Sequence, residues 1–188
     1  MSYITTNNLT NIMAEMTDYC NAACPMCNRF DWDLKLVKGI TNTHHTTLQF
    51  VKDRIGDEII SRLGGWTCQG TYGDASMNPE TVDIFEYLRE INPNIEINMY
   101  TNGGARNKDF WKALADLNVI ITFGIDGLED TNHLYRRNVK WDNLMENVKT
   151  FIGNGGHAKW DLLVFKHNQH QIDKAKLLSQ ELGFRSFA

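Results

Sequence analysis

Residues 19–30, YCNAACPMCNRF, place three cysteines within eight positions of a chain that contains only four. Cys20, Cys24 and Cys27 follow the spacing C-x3-C-x2-C, and Cys68 lies in a separate stretch. In a reducing compartment, cysteines bunched at such short spacing are more typical of metal or redox sites than of disulfides. The sequence therefore predicts a metal site built from thiolates, and the number of ligands decides which metal it suits.

Two kinds of metal site fit the three cysteines. A structural zinc site usually has four ligands in two separated pairs, and here a fourth ligand would have to come from His44 or His45, since Cys68 is better interpreted as a buried apolar residue. A 4Fe-4S cube held by three cysteines instead leaves one iron without a protein ligand, where a substrate or cofactor can bind. The residues alone leave both interpretations open.

Length, composition and charge narrow the class of protein. A chain of 188 residues with 42% hydrophobic residues predicts a single domain with one sizeable core. The net charge of −4 argues against a surface that wraps nucleic acid. The sequence shows neither a signal-peptide pattern nor an apolar run of about eighteen residues, so no membrane association and a cytoplasmic location are expected.

The hydrophobic pattern switches repeatedly between short β-rich runs and amphipathic stretches, which predicts a parallel sheet covered by helices. Strands are predicted at residues 10–16, 65–69, 95–100, 119–125 and 160–165, with the start of a sixth at the final residues RSFA. Helices are predicted at residues 47–63, 79–91, 108–117, 141–153 and 171–182. Asn78 is expected to cap the second helix, Pro79 to stand in its first turn, and Gly183 to end the last helix.

Each predicted strand is followed by a cluster of conspicuous polar residues or glycines. The cysteines follow the first strand, and the later clusters are GTYGD (70–74), TNGG (101–104), Asp126 with Gly127, and KHN (166–168). In repeated βα folds, the carboxyl ends of the strands meet on one face. One shared site containing the three thiols is therefore expected there.

These clusters together resemble the motifs of the radical S-adenosylmethionine (SAM) superfamily. CNAACPMC (20–27) resembles its cluster-binding motif, GTYGDASMNPE (70–80) its strand-two motif, and MYTNGG (99–104) its TNG motif. FGIDGLEDTNHLYRR (123–137) is similar to a stretch found in peptide-modifying and related SPASM-type members. The resemblance runs from Ile12 to Phe184 and implies an α/β fold, a partial (β/α)6 TIM-like barrel of about five and a half units, as one core domain over residues 1–188.

The resemblance also implies cofactors and the residues that hold them. Cys20, Cys24 and Cys27 would be the catalytic and metal-binding cysteines of a 4Fe-4S cluster, and SAM would bind the open iron. The residues implied to line SAM are Met26 near adenine, Gly70, Gly73 and Asp74 along the methionine part, Thr101 and Asn102 beside them, Asp126 at the ribose hydroxyls, Arg136 or Arg137 at a carboxylate, and Asn168. Gly124 stands where the family often has serine, so one side-chain contact to SAM is expected to be missing.

The implied activity is reductive cleavage of SAM to a 5′-deoxyadenosyl radical that abstracts hydrogen from a peptide or small-molecule substrate. An external electron donor such as flavodoxin or ferredoxin would be needed. Because the sequence stops where a sixth strand would begin, without a cysteine-rich extension, the core is expected to be a fragment or to be completed by a partner. The alternatives are a non-catalytic protein that binds iron–sulfur or SAM, a partial subunit, and a zinc-binding structural domain.

Overall fold

Six parallel strands form one open sheet, and their order in space is their order along the chain. The computed structural model describes residues 8–188. The strands in this part of the chain are β1 (Asn11–Ala14), β2 (Gly65–Cys68), β3 (Glu96–Thr101), β4 (Ile120–Gly124), β5 (His157–Asp161) and β6 (Ser186–Phe187). The predicted partial-barrel fold, with its sixth strand beginning within the last residues, is thereby confirmed.

Helices and short turns connect the strands. The helices are α1 (Leu48–Arg54), α2 (Gly56–Ile60), α3 (Thr81–Ile91), α4 (Lys108–Asp116), α5 (Asn132–Tyr135), α6 (Trp141–Gly153) and α7 (Ile172–Leu182). Single 3-10 turns lie at Ala75–Met77 and Gln169–Gln171. No helix in residues 8–188 is long and apolar enough to cross a membrane.

The core lies where the apolar stripes of the helices cover the sheet. In α3, Ile84 and Leu88 are fully buried one turn apart, as an amphipathic helix on a sheet requires. In β4, Phe123 is fully buried between the rings of Trp111 and Phe151, at centroid distances of 5.5 and 6.0 Å. This packing fixes the strands relative to one another, and with them the loops at their carboxyl ends.

The end of β5 differs from the prediction. The strand covers His157–Asp161, whereas the apolar run had predicted a strand over residues 160–165. The N–H of Leu163 donates to the Asp126 carboxylate over 2.7 Å, and the carbonyl of Leu163 accepts a bond from Asn168 over 2.9 Å. These side-chain bonds replace strand pairing, so the chain leaves the sheet soon after Asp161.

The start of α3 and the first predicted helix also differ from the prediction. Asn78 does not cap α3, which begins at Thr81; its amide donates instead to the carbonyls of Met16 and Thr46 over 2.8 and 2.7 Å. Pro79 therefore precedes the helix. The predicted helix over residues 47–63 is divided into α1 and α2 where Gly56 adopts a φ of 73°. The predicted end at Gly183 is confirmed, since this residue takes the left-handed conformation.

Candidate functional site

A cavity of ≈ 280 Å³ lies at the carboxyl ends of the strands and contains all three clustered cysteines. The predicted site residues that line it are Cys20, Cys24, Cys27, Gly70, Gly73, Asp74, Thr101, Asn102 and Arg136. They come from the loops after β1, β2 and β3 and from the segment after α5. The structure therefore brings together residues as far apart in sequence as Cys20 and Arg136, as the sequence had predicted for one shared site.

The thiols of the cysteine loop are partly shielded from solvent. Cys24 is buried, and the sulfur of Cys20 accepts hydrogen bonds from the Ala22 N–H over 3.4 Å and from the Asn102 amide over 3.5 Å. Burial raises the pKa of Cys20 to about 12, and the nearby Asp74 carboxylate acts in the same direction. Since the thiolate is the form that binds metal, the Cys20 thiol stays protonated until a metal ion replaces the proton.

The loop after β2 packs directly on the cysteine loop. The N–H of Asp74 donates to the carbonyl of Tyr19 over 2.9 Å. At Gly73, an added Cβ would lie 2.3 Å from the carbonyl oxygen of Thr17 and 2.7 Å from that of Tyr19. Only glycine permits this approach of two backbones, so the GTYGD sequence serves to seat the cysteine loop as well as to line the cavity.

The Asp74 carboxylate joins the loops after β2 and β3. It accepts hydrogen bonds from the N–H and hydroxyl of Ser76, from the hydroxyl of Thr101, and from the backbone N–H and the side-chain amide of Asn102, at 2.7–3.0 Å. The resemblance implied that this carboxylate lies along the methionine part of SAM. In the structure the Asp74 carboxylate is hydrogen-bonded to protein groups, and it thereby fixes the residues that form this wall of the cavity.

Asp126 reaches the cavity through Arg136 and Leu163, both of which line it. Its side chain is fully buried, accepts the Arg136 Nε–H over 2.6 Å and the Leu163 N–H over 2.7 Å, and is not part of the cavity lining. Burial raises the pKa of Asp126, although the Arg136 charge opposes this. Asp126 was predicted to contact ribose hydroxyls, and this contact stays a prediction; in the structure its carboxylate accepts hydrogen bonds from Arg136 and from the Leu163 backbone.

Arg136, and not Arg137, faces the cavity. Arg136 lies beside Cys24, whose pKa is raised by burial and lowered in part by this positive charge. A Cβ on Gly124 would lie 2.3 Å from Nη2 of Arg136. The glycine therefore provides the space that the guanidinium occupies, while Arg137 is exposed and uses its carbonyl to accept the Ala23 N–H over 3.1 Å.

Two predicted cofactor contacts lie outside the cavity. Met26 is 74% exposed and does not line it, because its side chain points away from the turn between Cys24 and Cys27. Asn168 is fully buried; its amide donates to the carbonyls of Asp126 and Leu163, both over 2.9 Å. Asn168 therefore holds the loop after β5 against the loop after β4.

Some cavity residues were not anticipated from the sequence. Arg29 is 2% exposed and donates to the carbonyl of Asp18 over 3.1 Å and to the side chain of Asn42, while its Nε has no partner among the described residues. Asp161 lines the cavity from the end of β5. Neither residue carried a clear sequence signal, since a buried arginine looks like an exposed one in sequence and Asp161 lay inside the strand predicted over residues 160–165.

The histidines of the zinc alternative lie elsewhere. His44 Nδ1 contacts the carboxylate of Asp18 over 3.2 Å, and His45 Nδ1 contacts the hydroxyl of Thr17 over 2.9 Å. Both line a separate cavity of ≈ 640 Å³ between the loop over residues 37–47 and Phe50. Cys68 is fully buried in β2 and is also outside the cysteine cavity.

The residues that are present fit an iron–sulfur cluster. In residues 8–188, no three His, Cys, Asp or Glu side chains surround a point that could hold a single metal ion. A four-iron cube offers a separate iron to each thiolate, so its three cysteines need not converge on one ion. The guanidinium groups of the buried Arg29 and the half-buried Arg136 lie near the thiols of Cys20 and Cys24 and would offset the negative charge of bound thiolates.

Comparison with known proteins identifies the family and the fold. The sequence model of the Radical SAM superfamily matches residues 14–177. No curated protein matches the sequence. Among solved structures, Streptococcus suis SuiB bound to its precursor peptide SuiA has 14% identity and a TM-score of 0.76, with 95% of this chain and 38% of SuiB covered. The structure of anSMEcpe with bound AdoMet has 15% identity and a TM-score of 0.73, with 95% and 48% covered.

The chain thus spans less than half the length of these two proteins. At such low identity the structural likeness shows the fold, while the sequence match over most of the chain shows the family. This protein belongs to the radical SAM superfamily, whose enzymes use a 4Fe-4S cluster and S-adenosylmethionine.

Proposed function

We propose that this chain is the core domain, over residues 1–188, of a radical SAM enzyme. Cys20, Cys24 and Cys27 would hold the 4Fe-4S cluster, with SAM on the iron that has no cysteine. The bound cofactors would supply reductive cleavage of SAM to a 5′-deoxyadenosyl radical, which abstracts hydrogen from a substrate. The single observation that carries the proposal is the cavity that all three thiols share with Arg136.

The protein groups would bind and orient SAM. Arg136 offers a guanidinium beside Cys24, suited to a carboxylate such as that of the methionine part. Gly70 and Gly73 let the backbone of the loop after β2 approach a ligand closely. Thr101 and Asn102, held by Asp74, add polar groups to the cavity wall.

The substrate we propose is a peptide or a small molecule. The solved structures with this fold include SuiB with a precursor peptide and anSMEcpe with the Cp18Cys peptide. Asp161 and Tyr100 also line the cavity and would meet such a substrate. A flavodoxin or ferredoxin would supply the electron. A cytoplasmic location is proposed because all four cysteines are free thiols.

Anaerobic reconstitution with iron and sulfide tests the ligand set. The wild-type protein should bind about four irons with the brown colour of an iron–sulfur cluster, and alanine at Cys20, Cys24 or Cys27 should remove most of this iron. Cys68→Ala is the matched control and should retain the cluster, because Cys68 lies outside the cavity. A colourless protein that binds one zinc, or an equal loss of iron in Cys68→Ala, would contradict the proposal.

A second measurement separates an enzyme from a binding protein. The reconstituted protein, reduced with dithionite and mixed with SAM, should release 5′-deoxyadenosine and methionine, both detected by chromatography. Cys24→Ala should release neither, because the cluster provides the electron. A wild-type protein that holds the cluster and SAM without forming 5′-deoxyadenosine would be a binder, and the enzymatic proposal would be wrong.

A further inference from the structure

We propose that Asn102 raises the reduction potential of the cluster by donating a hydrogen bond to the sulfur of Cys20. This inference rests on the proposed function, since it requires a cluster on Cys20. The Asn102 Nδ2 lies 3.5 Å from the Cys20 sulfur, within the range for a bond to sulfur, and Asn102 is 3% exposed. It contacts the sulfur from the loop after β3, which is outside the cysteine motif.

Hydrogen bonds fix which end of the Asn102 amide faces the sulfur. Its Oδ1 accepts the N–H of Gly104 over 2.9 Å, and its Nδ2 donates to the Asp74 carboxylate over 2.7 Å. A backbone N–H can only donate and a carboxylate accepts, so exchanging the amide oxygen and nitrogen would lose both bonds. Asp74 is therefore a positioning residue that aims an N–H group of Asn102 at Cys20.

One N–H of Asn102 serves Asp74, and the other is shared by two acceptors. These are Oδ1 of Asn21, over 2.9 Å, and the Cys20 sulfur. A thiolate bound to iron carries more negative charge than a thiol and competes more strongly for the shared hydrogen. The bond to sulfur should therefore strengthen when the cluster is loaded.

The sign of the effect follows from charge. Reduction adds an electron to the cluster, and part of the added charge resides on the cysteine sulfurs. A hydrogen bond to such a sulfur stabilises the reduced form more than the oxidised form, which makes the potential less negative. The backbone N–H of Ala22 also donates to this sulfur, but a side-chain substitution leaves that bond in place.

The test is a redox titration of reconstituted protein without SAM, followed by the electron paramagnetic resonance signal of the reduced cluster. Asn102→Leu keeps the side-chain size and removes the donor. It should lower the ratio of reduced to oxidised cluster about tenfold at a fixed potential, which corresponds to a midpoint shift of about 59 mV toward more negative values for one electron. Iron and sulfide contents are measured in each sample.

Asn147→Leu is the matched control. Asn147 is also 3% exposed, and its amide holds the same loop by donating to the carbonyls of Gly103 and Ala105 over 2.8 and 3.0 Å. This variant should disturb the loop to a similar degree and leave the potential unchanged. Equal shifts in Asn102→Leu and Asn147→Leu would show that the effect is general loosening of the loop, and the inference would be wrong.

Asn21→Ala provides a variant with the opposite expected sign. Removing Asn21 Oδ1 leaves the sulfur as the acceptor of the shared N–H, so the potential should become less negative. This variant tests the inference even if Asn102→Leu does not fold. A wild-type protein without a cluster would refute the proposed function, whereas a loaded Asn102→Leu or Asn21→Ala with the wild-type potential would refute this inference alone.

Discussion

Asp126 and Arg136 form a buried ion pair next to the cysteine cavity. The Asp126 side chain is fully buried and that of Arg136 is 21% exposed. A buried charge that loses its partner is costly, because it stays desolvated without compensation. The ion pair therefore fixes the position of the Arg136 guanidinium, which lies next to Gly124. Asp126 influences the cavity by holding this arginine.

Arg136→Gln should weaken SAM binding at least tenfold, since it removes the cation available to the SAM carboxylate, and tenfold corresponds to about 1.4 kcal/mol. Asp126→Asn should weaken binding less, because Arg136 remains but loses its anchor. The dissociation constants are measured by equilibrium dialysis on reconstituted protein, and the iron content should not change in either variant.

The matched control for this prediction is Arg137→Gln. Arg137 is the neighbouring arginine, but it is exposed and contributes its backbone to the site. Its substitution should leave SAM affinity unchanged. If Arg136→Gln bound SAM as tightly as the wild-type protein, the assignment of this arginine to the cofactor would fail.

At the scale of elements, the loop after β2 is shaped to fit the loop after β1. Both carboxylate oxygens of Glu15 accept backbone N–H groups, from Thr71 and Tyr72, each over 3.1 Å. Gly73 then passes against the carbonyls of Thr17 and Tyr19. The loop after β2 therefore supports the segment over residues 15–19, which leads into the cysteines.

Gly73→Ala should destabilise the protein by about 1–3 kcal/mol, the cost of forcing extra volume into a packed site. The obstacles are backbone carbonyl oxygens, which cannot move aside as a flexible side chain can. Urea unfolding gives the free energy. Gly153→Ala is the control, since an added Cβ there meets nothing within 4 Å and the residue lies in α6, so its stability should match or exceed that of the wild-type protein. Equal stability of the two variants would contradict the argument.

The elements that the sequence predicted well are those whose apolar pattern decides their structure. The strand over 65–69 and the helices over 108–117 and 141–153 lie where periodicity placed them, within one or two residues. The end of β5 was mispredicted because a side chain distant in sequence, Asp126, takes the N–H of Leu163. No local pattern reports such a contact.

In the candidate site, too, local sequence predicted some features and distant contacts decided the others. The cysteines and the polar residues after each strand could be located from motif order, since strand ends meet in space. The partner of each side chain could not be predicted, because Asp74 and Asp126 bond to protein groups chosen by the packed structure. Arg29 was missed since nothing in its immediate sequence separates a buried arginine from an exposed one.

At the scale of the whole molecule, the sheet that residues 8–188 form has a well-covered centre, with β1 and β6 as its outer strands. β3 and β4 have parallel neighbours on both sides, and their inward residues, such as Met99 and Ile121, are fully buried. β1 and β6 each pair with one neighbouring strand, and Met13 in β1 is 73% exposed. Stability is expected to be distributed accordingly.

Amide hydrogen exchange should reveal this gradient. Amides of β3 and β4 should exchange slowest, through opening of the whole domain, whereas those of β1 and β6 should exchange at least tenfold faster because an edge can open alone. Mass spectrometry of peptides covering each strand gives the rates. Uniform protection across all six strands would mean that the sheet opens as a single unit.

The contact between Ala23 and Arg137 has a consequence for how the protein is made. The N–H of Ala23 in the cysteine loop donates to the carbonyl of Arg137, more than a hundred residues further along the chain. During synthesis the amino-terminal half of the chain leaves the ribosome first. The surroundings of its three clustered sulfur atoms are therefore completed only after Arg137 has been synthesised.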